Sequence, residues 1–423
     1  MDKLDVLVVG GGGREYAICK KLNESPRLNK LYCLPGNGGI AAFAECAPIK
    51  TTDIKGIVAF ALEKNVNFAV VASDDPLALG CVDALEAAGV RAFGPVKDAA
   101  VIESSKVFSK GLMRKYNIPT ARWEAFSDMK SALEYLDKQS LPIVIKCDGL
   151  ALGKGVVIAD TRAKAEETLD EMLNGSRHGE AGRRVVIEEF MEGREVTVLT
   201  FCDGETLITM PPSRDHKRAF DGDTGDNTGG MGVICPVSDY TPEHMERAMN
   251  EIFLPTIKAM AAEGRTFKGV LYFGLMLTAN GPKVVEYNAR FGDPEAQAVL
   301  ALLESDLLEI FIAVRDGKLK EITPCWKDSA SAVIVLASGG YPGASEQGFP
   351  IRGLDDLPDG VHICHAGTAL RGGTYVTSGG RVLNLCAVSG NLESALELAY
   401  SSVNRVSFEG MRYRTDIGGF VPH

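Results

Sequence analysis

No stretch of this 423-residue chain approaches the roughly 20 consecutive apolar residues of a membrane-spanning helix. The first residues run into a glycine cluster instead of the apolar core of a leader peptide. A cytoplasmic location is the expectation. Positive charge is scarce as well: the formal net charge is −11, which argues against nucleic acid or an anionic membrane as partner. A local basic cluster, Arg214, His216, Lys217 and Arg218, could still hold phosphate. The ten cysteines contain no C-x-x-C pair. The spacing nearest to a metal site is His362, Cys364 and His365, in a short apolar stretch that reads as a strand and lacks a fourth ligand. Idle thiols in a reducing compartment are expected instead. There is no serine nucleophile elbow and no H-E-x-x-H, so covalent hydrolase chemistry is not expected. Fixed-period repeats and low-complexity runs are absent too.

Glycine is plentiful, at 46 residues, with 24% charged and 45% apolar residues. That is the composition of a globular α/β protein rich in turns, and the length predicts roughly two to four domains. Val6 to Val9, Leu31 to Leu34, Phe68 to Ala72 and Arg91 to Phe93 read as strands. Glu15 to Leu22, Ile54 to Lys64 and Leu77 to Ala88 read as the helices between them, together a parallel α/β layer. A boundary falls near residue 100. A helix over Lys106 to Tyr116 opens a middle region, and a second boundary lies between 317 and 330, around Pro324. The tail carries strands at Ala332 to Ala337, Val361 to Cys364 and Val382 to Val388 and a helix at Leu392 to Val403, which fits a small mixed α/β domain. The division is 1–103, 104–325 and 326–423.

Five segments carry chemistry. In Lys283 to Gln297, a strand places Glu286 and Asn288 on one face, with Cα atoms about 6.5–7 Å apart. Those two oxygen ligands suit a hard cation of the Mg²⁺ type, and Arg290 follows them. Asp293 then reads as an N-cap and Pro294 as the first residue of a helix running to about Arg315 and stopped by Gly317. The glycine turn of Gly10 to Glu15 follows a strand and opens a helix, so its backbone amides could contact an anion; the sixth position is Glu15, which counts against a nicotinamide cofactor. In Ile143 to Val157, Lys146 ends a strand and a loop with Gly149, Gly153, Lys154 and Gly155 leads to the next, a hairpin able to cover phosphates but not a Walker loop. Val185 to Glu195 offers Phe190 or Met191 as an apolar slot for a base and Glu195 as a carboxylate for a ribose. Arg214 to Gly232 is too polar for a core and does not fit a calcium loop, since Gly232 stands at its twelfth position. It reads as an ordered substrate loop.

In that order, a strand lysine, a glycine hairpin, the Glu188-Glu189-Phe190-Met191 segment and a Glu/Asn strand resemble the ATP-grasp superfamily. GGGGRE, Pro35 to Gly39, DGLALGKGV, DHKR, DTGDNTGGMG and NARFGDPE together resemble the glycinamide ribonucleotide synthetase family, over essentially the whole chain. The resemblance implies an α/β fold, α+β in parts: an N-terminal parallel domain, an ATP-grasp domain with a lid subdomain at about 121–191, and a C-terminal mixed domain. It implies ligation of glycine to 5-phosphoribosylamine with ATP, in purine synthesis, by a protein acting on small molecules, without nucleic acid or membrane, as a monomer. Glu286 and Asn288 would hold Mg²⁺ or Mn²⁺. Lys106, Lys146 and the loop Gly149, Gly153, Lys154 and Gly155 would hold ATP phosphates, with Glu188, Glu189, Phe190, Met191 and Glu195 at the adenosine. Arg290, Asp215, His216 and Lys217, with Asp223, Thr228, Gly229, Gly230, Met231 and Asp293, would face glycine and the transferred phosphate. Gly11, Gly12, Gly13, Arg14, Glu15, Asn37 and Gly38 would help hold the phosphorylated sugar. Two departures from the family pattern, Tyr16 in place of histidine and Ala72-Ser73-Asp74-Asp75 before Pro76, fall in the N-terminal region and bear on the sugar phosphate.

Overall fold

Five parallel strands in the order Glu45–Cys46, Leu28–Pro35, Leu4–Gly10, Phe68–Val71 and Arg91–Phe93 form the first sheet of the computed structural model, which describes residues 3–150, 155–175 and 183–419. Leu4–Gly10 runs through the middle because Val6, Leu7, Val8 and Val9 are fully buried, as a strand covered on both faces requires. Its carboxyl end delivers the glycine turn to the crevice where open α/β sheets bind ligands. The single helix expected at Leu77 to Ala88 is instead two, Asp74–Ala78 and Cys81–Ala87. Gly80 separates them at φ +86°, a conformation that ends a helix turn and favours glycine.

An antiparallel sheet, Trp123–Phe126, Val185–Glu189, Ile143–Cys147 and Val156–Ala159, carries the helices Met129–Leu136 and Arg162–Leu173. It has its own cluster of buried residues, among them Ile143, Ile145, Leu169 and Ile187. A second antiparallel sheet runs Leu207–Thr209, Arg194–Cys202, Gly269–Thr278 and Gly281–Asn288. Here a bulge positions the site. Val284 pairs with Leu275 and Glu286 with Gly274, so the register slips by one residue between them. Val284 and Tyr287, three apart, therefore both reach the core with Phe273 and Val198, while Glu286 and Asn288 keep to the opposite face. Gly274 faces Glu286, where a Cβ would lie 3.2 Å from the Glu286 Cγ.

The long helix expected after Asp293 is also two, Glu295–Ala301 and Leu307–Asp316. Asp306 caps the second, its Oδ1 accepting from the Leu308 and Glu309 amides. Asp293 does not cap that helix: Pro294 occupies the first cap, the Asp293 Oδ1 accepts from Gln297 Nε2 at 2.7 Å, and its Oδ2 accepts from the Arg14 amide at 3.4 Å, in the first turn of a different helix, Gly13–Leu22. Gly317 ends the second helix at φ +69°, as expected.

The tail strands Ala330–Ala337, Arg381–Ser389 and Val361–His365 do not close on themselves. Their sheet continues through Gly232–Cys235 to Arg214–Asp215, in the order Arg214–Asp215, Gly232–Cys235, Ala330–Ala337, Arg381–Ser389, Val361–His365. The polar segment from Arg214 to Gly232 is thus braced at both ends by strands of this sheet, and Leu392–Val403 packs on one face through Ala395, Leu396 and Ala399. No helix among the described residues is long and apolar enough to cross a membrane.

Phe273 is fully buried under the strand that carries Glu286, 4.3 Å from the Phe253 ring centroid and 5.6 Å from that of Tyr287. Phe273→Ala is expected to cost about 3–5 kcal/mol in urea unfolding; a loss below about 1 kcal/mol would show that this layer does not support the strand.

Candidate active site

Glu286 and Asn288 face the cleft as the alternation of the strand predicted. Lys217 reaches across from the segment between Arg214 and Gly232, its Nζ 2.9 Å from Glu195 Oε2 and 3.6 Å from Glu286 Oε1. Burial alone would push the Glu286 carboxyl up, but the charges of Lys217, Lys146, Lys106 and Arg290 outweigh it and hold the group below its usual range. Assigned by its hydrogen-bond partners, the Asn288 amide nitrogen donates to Glu103 Oε1 at 3.0 Å and to the Tyr287 carbonyl at 3.3 Å. That leaves its oxygen, an acceptor, outside these two hydrogen bonds.

On the strand Val185–Glu189, Glu188 is almost wholly buried between two lysines, Lys110 at 2.9 Å and Lys146 at 3.1 Å. Two buried ammonium groups need a counter-charge, and Glu188 supplies it. Burial pushes the Lys110 ammonium down to about 8 despite that partner. Lys146 Nζ also donates to the Val285 carbonyl at 3.0 Å, and Lys106 Nζ to the Gly149 carbonyl at 3.0 Å. The lysines are therefore tied to the strand that carries Glu286 and to the loop. Glu189 is likewise engaged, by Arg122 at 2.5 Å and Lys283 at 3.7 Å. Phe190 is 38% exposed and Met191 half-buried, a placement open to a flat apolar ligand. Gly155 is in place, with its carbonyl accepting from Cys147 N; Gly153 and Lys154 lie outside the described residues.

A third group lies beyond the strand. Arg290 pairs with Glu103 at 2.7 Å, yet its buried Nε has no partner, and neither has the buried Oδ1 of Asp215. Asp215 stands near a second carboxylate, Glu295. Burial pushes both carboxyls up, and Glu295 pushes Asp215 further. Thr197 Oγ1 bridges Tyr272 Oη at 3.0 Å and Glu295 Oε1 at 3.4 Å. His216 does not join them. The alternation from Asp215 to Lys217 turns its ring the other way, where Nε2 accepts from the Gly418 amide at 3.0 Å and Nδ1 lies 3.3 Å from the Gly232 carbonyl. Asp223 also departs from expectation, pairing with Arg414 at 2.8 Å. Met231 is core. Thr228 Oγ1 donates to the Lys217 carbonyl and accepts from Gly230 N, and Gly229 N donates to Tyr341 Oη.

The fourth side is a cavity of about 340 Å³ lined by Gly11, Gly12, Gly36, Asn37 and Asp293 and, from the tail, by Tyr341, Thr368, Ser378 and Arg381. Several expected contacts here are engaged within the protein. Glu15 folds back on its own helix start, its Oε2 accepting from Gly12 N at 2.7 Å and its Oε1 from Arg14 Nε at 2.7 Å. Arg14 further donates to the Phe291 carbonyl. Asn37 donates to the carbonyls of Gly11 and His365 and accepts from Gly39 and Ile40, so its side chain shapes the wall instead of reaching a ligand. Gly13 packs where a Cβ would lie 2.4 Å from Asn384 Nδ2, and Gly38 where one would lie 2.8 Å from the Ala369 backbone. Arg381 bridges the Gly229 and Asp293 carbonyls, each at 2.6 Å.

Sequence comparison agrees with this layout. The phosphoribosylglycinamide synthetase family matches in all its parts: N domain at residues 4–103, ATP-grasp (A) domain at 104–296 and C domain at 331–419. The phosphoribosylamine–glycine ligase of Caulobacter vibrioides is 47% identical over 99% of this chain and 98% of its own, and that of Halalkalibacterium halodurans 46% over 98% and 96%. The crystal structure of the Thermotoga maritima phosphoribosylamine–glycine ligase superposes with a TM-score of 0.85 at 33% identity, over 98% of this chain and 100% of that one. The chain belongs to the phosphoribosylglycinamide synthetase family.

ATP-grasp ligases use ATP with a divalent metal, and the synthetase architecture explains why the cleft has four walls. The three-part organisation with a parallel N-terminal sheet agrees with the family. Sequence reasoning missed Glu103, Lys110, Tyr272, Glu295 and Arg381. Each lies outside a glycine-rich motif or, for Glu295, at the end of one, and only the folded contacts bring it to the cleft.

Burial holds the His216 imidazole down to about 4, with the Arg414 charge adding to the shift. Because the folded value lies below the unfolded one, the neutral ring favours the fold above about pH 6.5, and that contribution is lost as pH falls towards 4. The loss amounts to about 3 kcal/mol across the window. Between pH 7 and pH 5, His216→Gln is expected to lose about 2 kcal/mol less than the parent in urea unfolding; equal losses would place the titration elsewhere.

Proposed function

We infer that the chain joins glycine to 5-phosphoribosylamine while ATP becomes ADP and phosphate, through a glycyl phosphate intermediate. The observation that carries this reading is the pair of buried, unpartnered atoms beside the metal strand, Asp215 Oδ1 and Arg290 Nε. A buried guanidinium and a buried carboxylate that both feel the charge of Glu295 suit a small zwitterion, with the glycine carboxylate on Arg290 and its ammonium on Asp215. The ammonium would also restore the charge on Asp215, which burial and Glu295 oppose.

Glu286, kept ionised, and the Asn288 oxygen are the oxygen donors that a hard divalent ion takes. Bound there, Mg²⁺ or Mn²⁺ would neutralise charge on the phosphates being cleaved. Lys146 and Lys106 face the same region and hold the triphosphate, and Lys217 bridges from Glu195 to the reacting end. Arg290 orients the glycine carboxylate so that one oxygen attacks the terminal phosphorus and ADP leaves. The amine of phosphoribosylamine then attacks the acyl carbon, phosphate departs, and the nitrogen loses a proton. The glycine turn and Arg381 form the cavity suited to the sugar phosphate, with Gly11, Gly12, Asn37 and Asp293 on its wall. Within this reading the functional divisions are 1–103, 104–325 with a lid at about 121–191, and 326–423. The protein works as a monomer in the cytoplasm on small molecules and needs neither nucleic acid nor membrane.

ADP release should be fast only when glycine and phosphoribosylamine are both supplied with ATP and Mg²⁺, and should match glycinamide ribonucleotide formed. Nucleotide binding without turnover on that pair would turn the assignment to another carboxylate. Asp215→Asn should raise the glycine KM at least about 30-fold while the ATP KM changes little, since a lost charged contact is worth about 2 kcal/mol or more.

A further inference from the structure

On the tail sheet, Val361–His365 and Arg381–Ser389 run antiparallel with His362 directly opposite Cys386. Cys364, two residues on from His362, shares that face. The Cys364 and Cys386 Sγ atoms are 3.7 Å apart, and one ligand atom from each of the three side chains lies within 4.8 Å of the others. Of the three residues singled out in the sequence, His365 is not a member. Its Nδ1 lies 3.1 Å from Thr368 Oγ1 and its ring stacks on Tyr16 at 5.5 Å. Cys386, 22 residues beyond Cys364, takes its place.

We propose that His362, Cys364 and Cys386 form a binding site for a thiolate-seeking divalent ion of the zinc type, separate from the Glu286 and Asn288 cleft. Two sulfurs bound to one tetrahedral zinc at about 2.3 Å stand about 3.8 Å apart. The two thiols already hold that separation across two paired strands. An imidazole and two sulfurs prefer zinc to Mg²⁺, which takes oxygen ligands, so the two sites draw on different ions. Two thiolates balance the ion's charge, which lowers the penalty of holding it where both cysteines are buried. His362 is only half-buried, which gives the ion an entrance and leaves the fourth position to water. Binding releases the two thiol protons to solvent. The ion would tie together the two strands that lead, through His365 and Arg381, into the wall of the 340 Å³ cavity.

The test uses the full chain, reduced, freed of metal by chelator and kept in excess Mg²⁺, with Co²⁺ as spectroscopic probe. One equivalent of Co²⁺ should bind with intense thiolate-to-cobalt absorption, release two protons, and be displaced by Zn²⁺. Cys386→Ser and Cys364→Ser should each lose half or more of that absorption, while Cys325→Ser, at an exposed thiol, should change nothing. His362→Ala keeps both thiols and should weaken Co²⁺ binding at least about tenfold, since even outer partners of a metal site are worth about 10–100-fold. Absence of the absorption in the parent protein would overturn the site. So would its persistence in both serine variants, or unchanged affinity in His362→Ala. Should a serine variant fail to fold, proton release by the parent and the His362→Ala affinity decide alone.

Discussion

A cleft that holds a triphosphate has to bring several cations out of bulk water, and a buried ammonium or guanidinium is tolerated only beside a counter-charge. The fold is organised by that requirement. Lys110 and Lys146 share Glu188, Arg290 takes Glu103, Arg381 takes Asp293, and Lys217 lies between Glu195 and Glu286. Every one of these contacts joins segments distant in sequence or crosses between sheets. Neutralising the cleft and fixing the relative positions of its walls are therefore one task.

Local backbone geometry completes what the charges begin. The bulge opposite Gly274 lets Val284 and Tyr287 both enter the core while Glu286 and Asn288 keep to the cleft. Without the extra residue, Val284 would share a face with Glu286 and Asn288, and burying Tyr287 would expose it. The glycine turn after the first strand is organised by Glu15 and Asn37, whose side chains satisfy the amides and carbonyls of the turn itself. These residues give the cavity its shape, and its remaining wall comes from Thr368, Ser378 and Arg381 of the tail.

Much of this was legible in the sequence where a short-range pattern carried it. The parallel strands, the hairpin ending on Lys146, the face shared by Glu286 and Asn288, and the helix Leu392–Val403 follow from apolar spacing and turn residues. Errors arose where a polar side chain had a use that spacing does not reveal. Asp306 interrupted an apolar stretch that read as one helix. His216 sits beside two residues of the cleft but points to Gly418, because strand alternation reverses successive side chains. Glu188 pairs with Lys110, 78 residues away, a partner its sequence neighbours do not reveal. Long-range pairing of charges has no local signature, so the lysines and carboxylates of the motifs could be named but not matched.

The five-stranded sheet that runs from Arg214–Asp215 to Val361–His365 has a consequence for how the protein comes into being. Gly232–Cys235 obtains its inner neighbour, Ala330–Ala337, nearly a hundred residues later. During synthesis, the segment that carries Asp215 and Lys217 leaves the ribosome with an unpaired edge and has to wait for the tail before it can settle. The middle region, though it corresponds to a separate family domain, shares a sheet with the tail. A nascent chain halted before residue 330 would carry Asp215 and Lys217 and lack the strand that braces their segment.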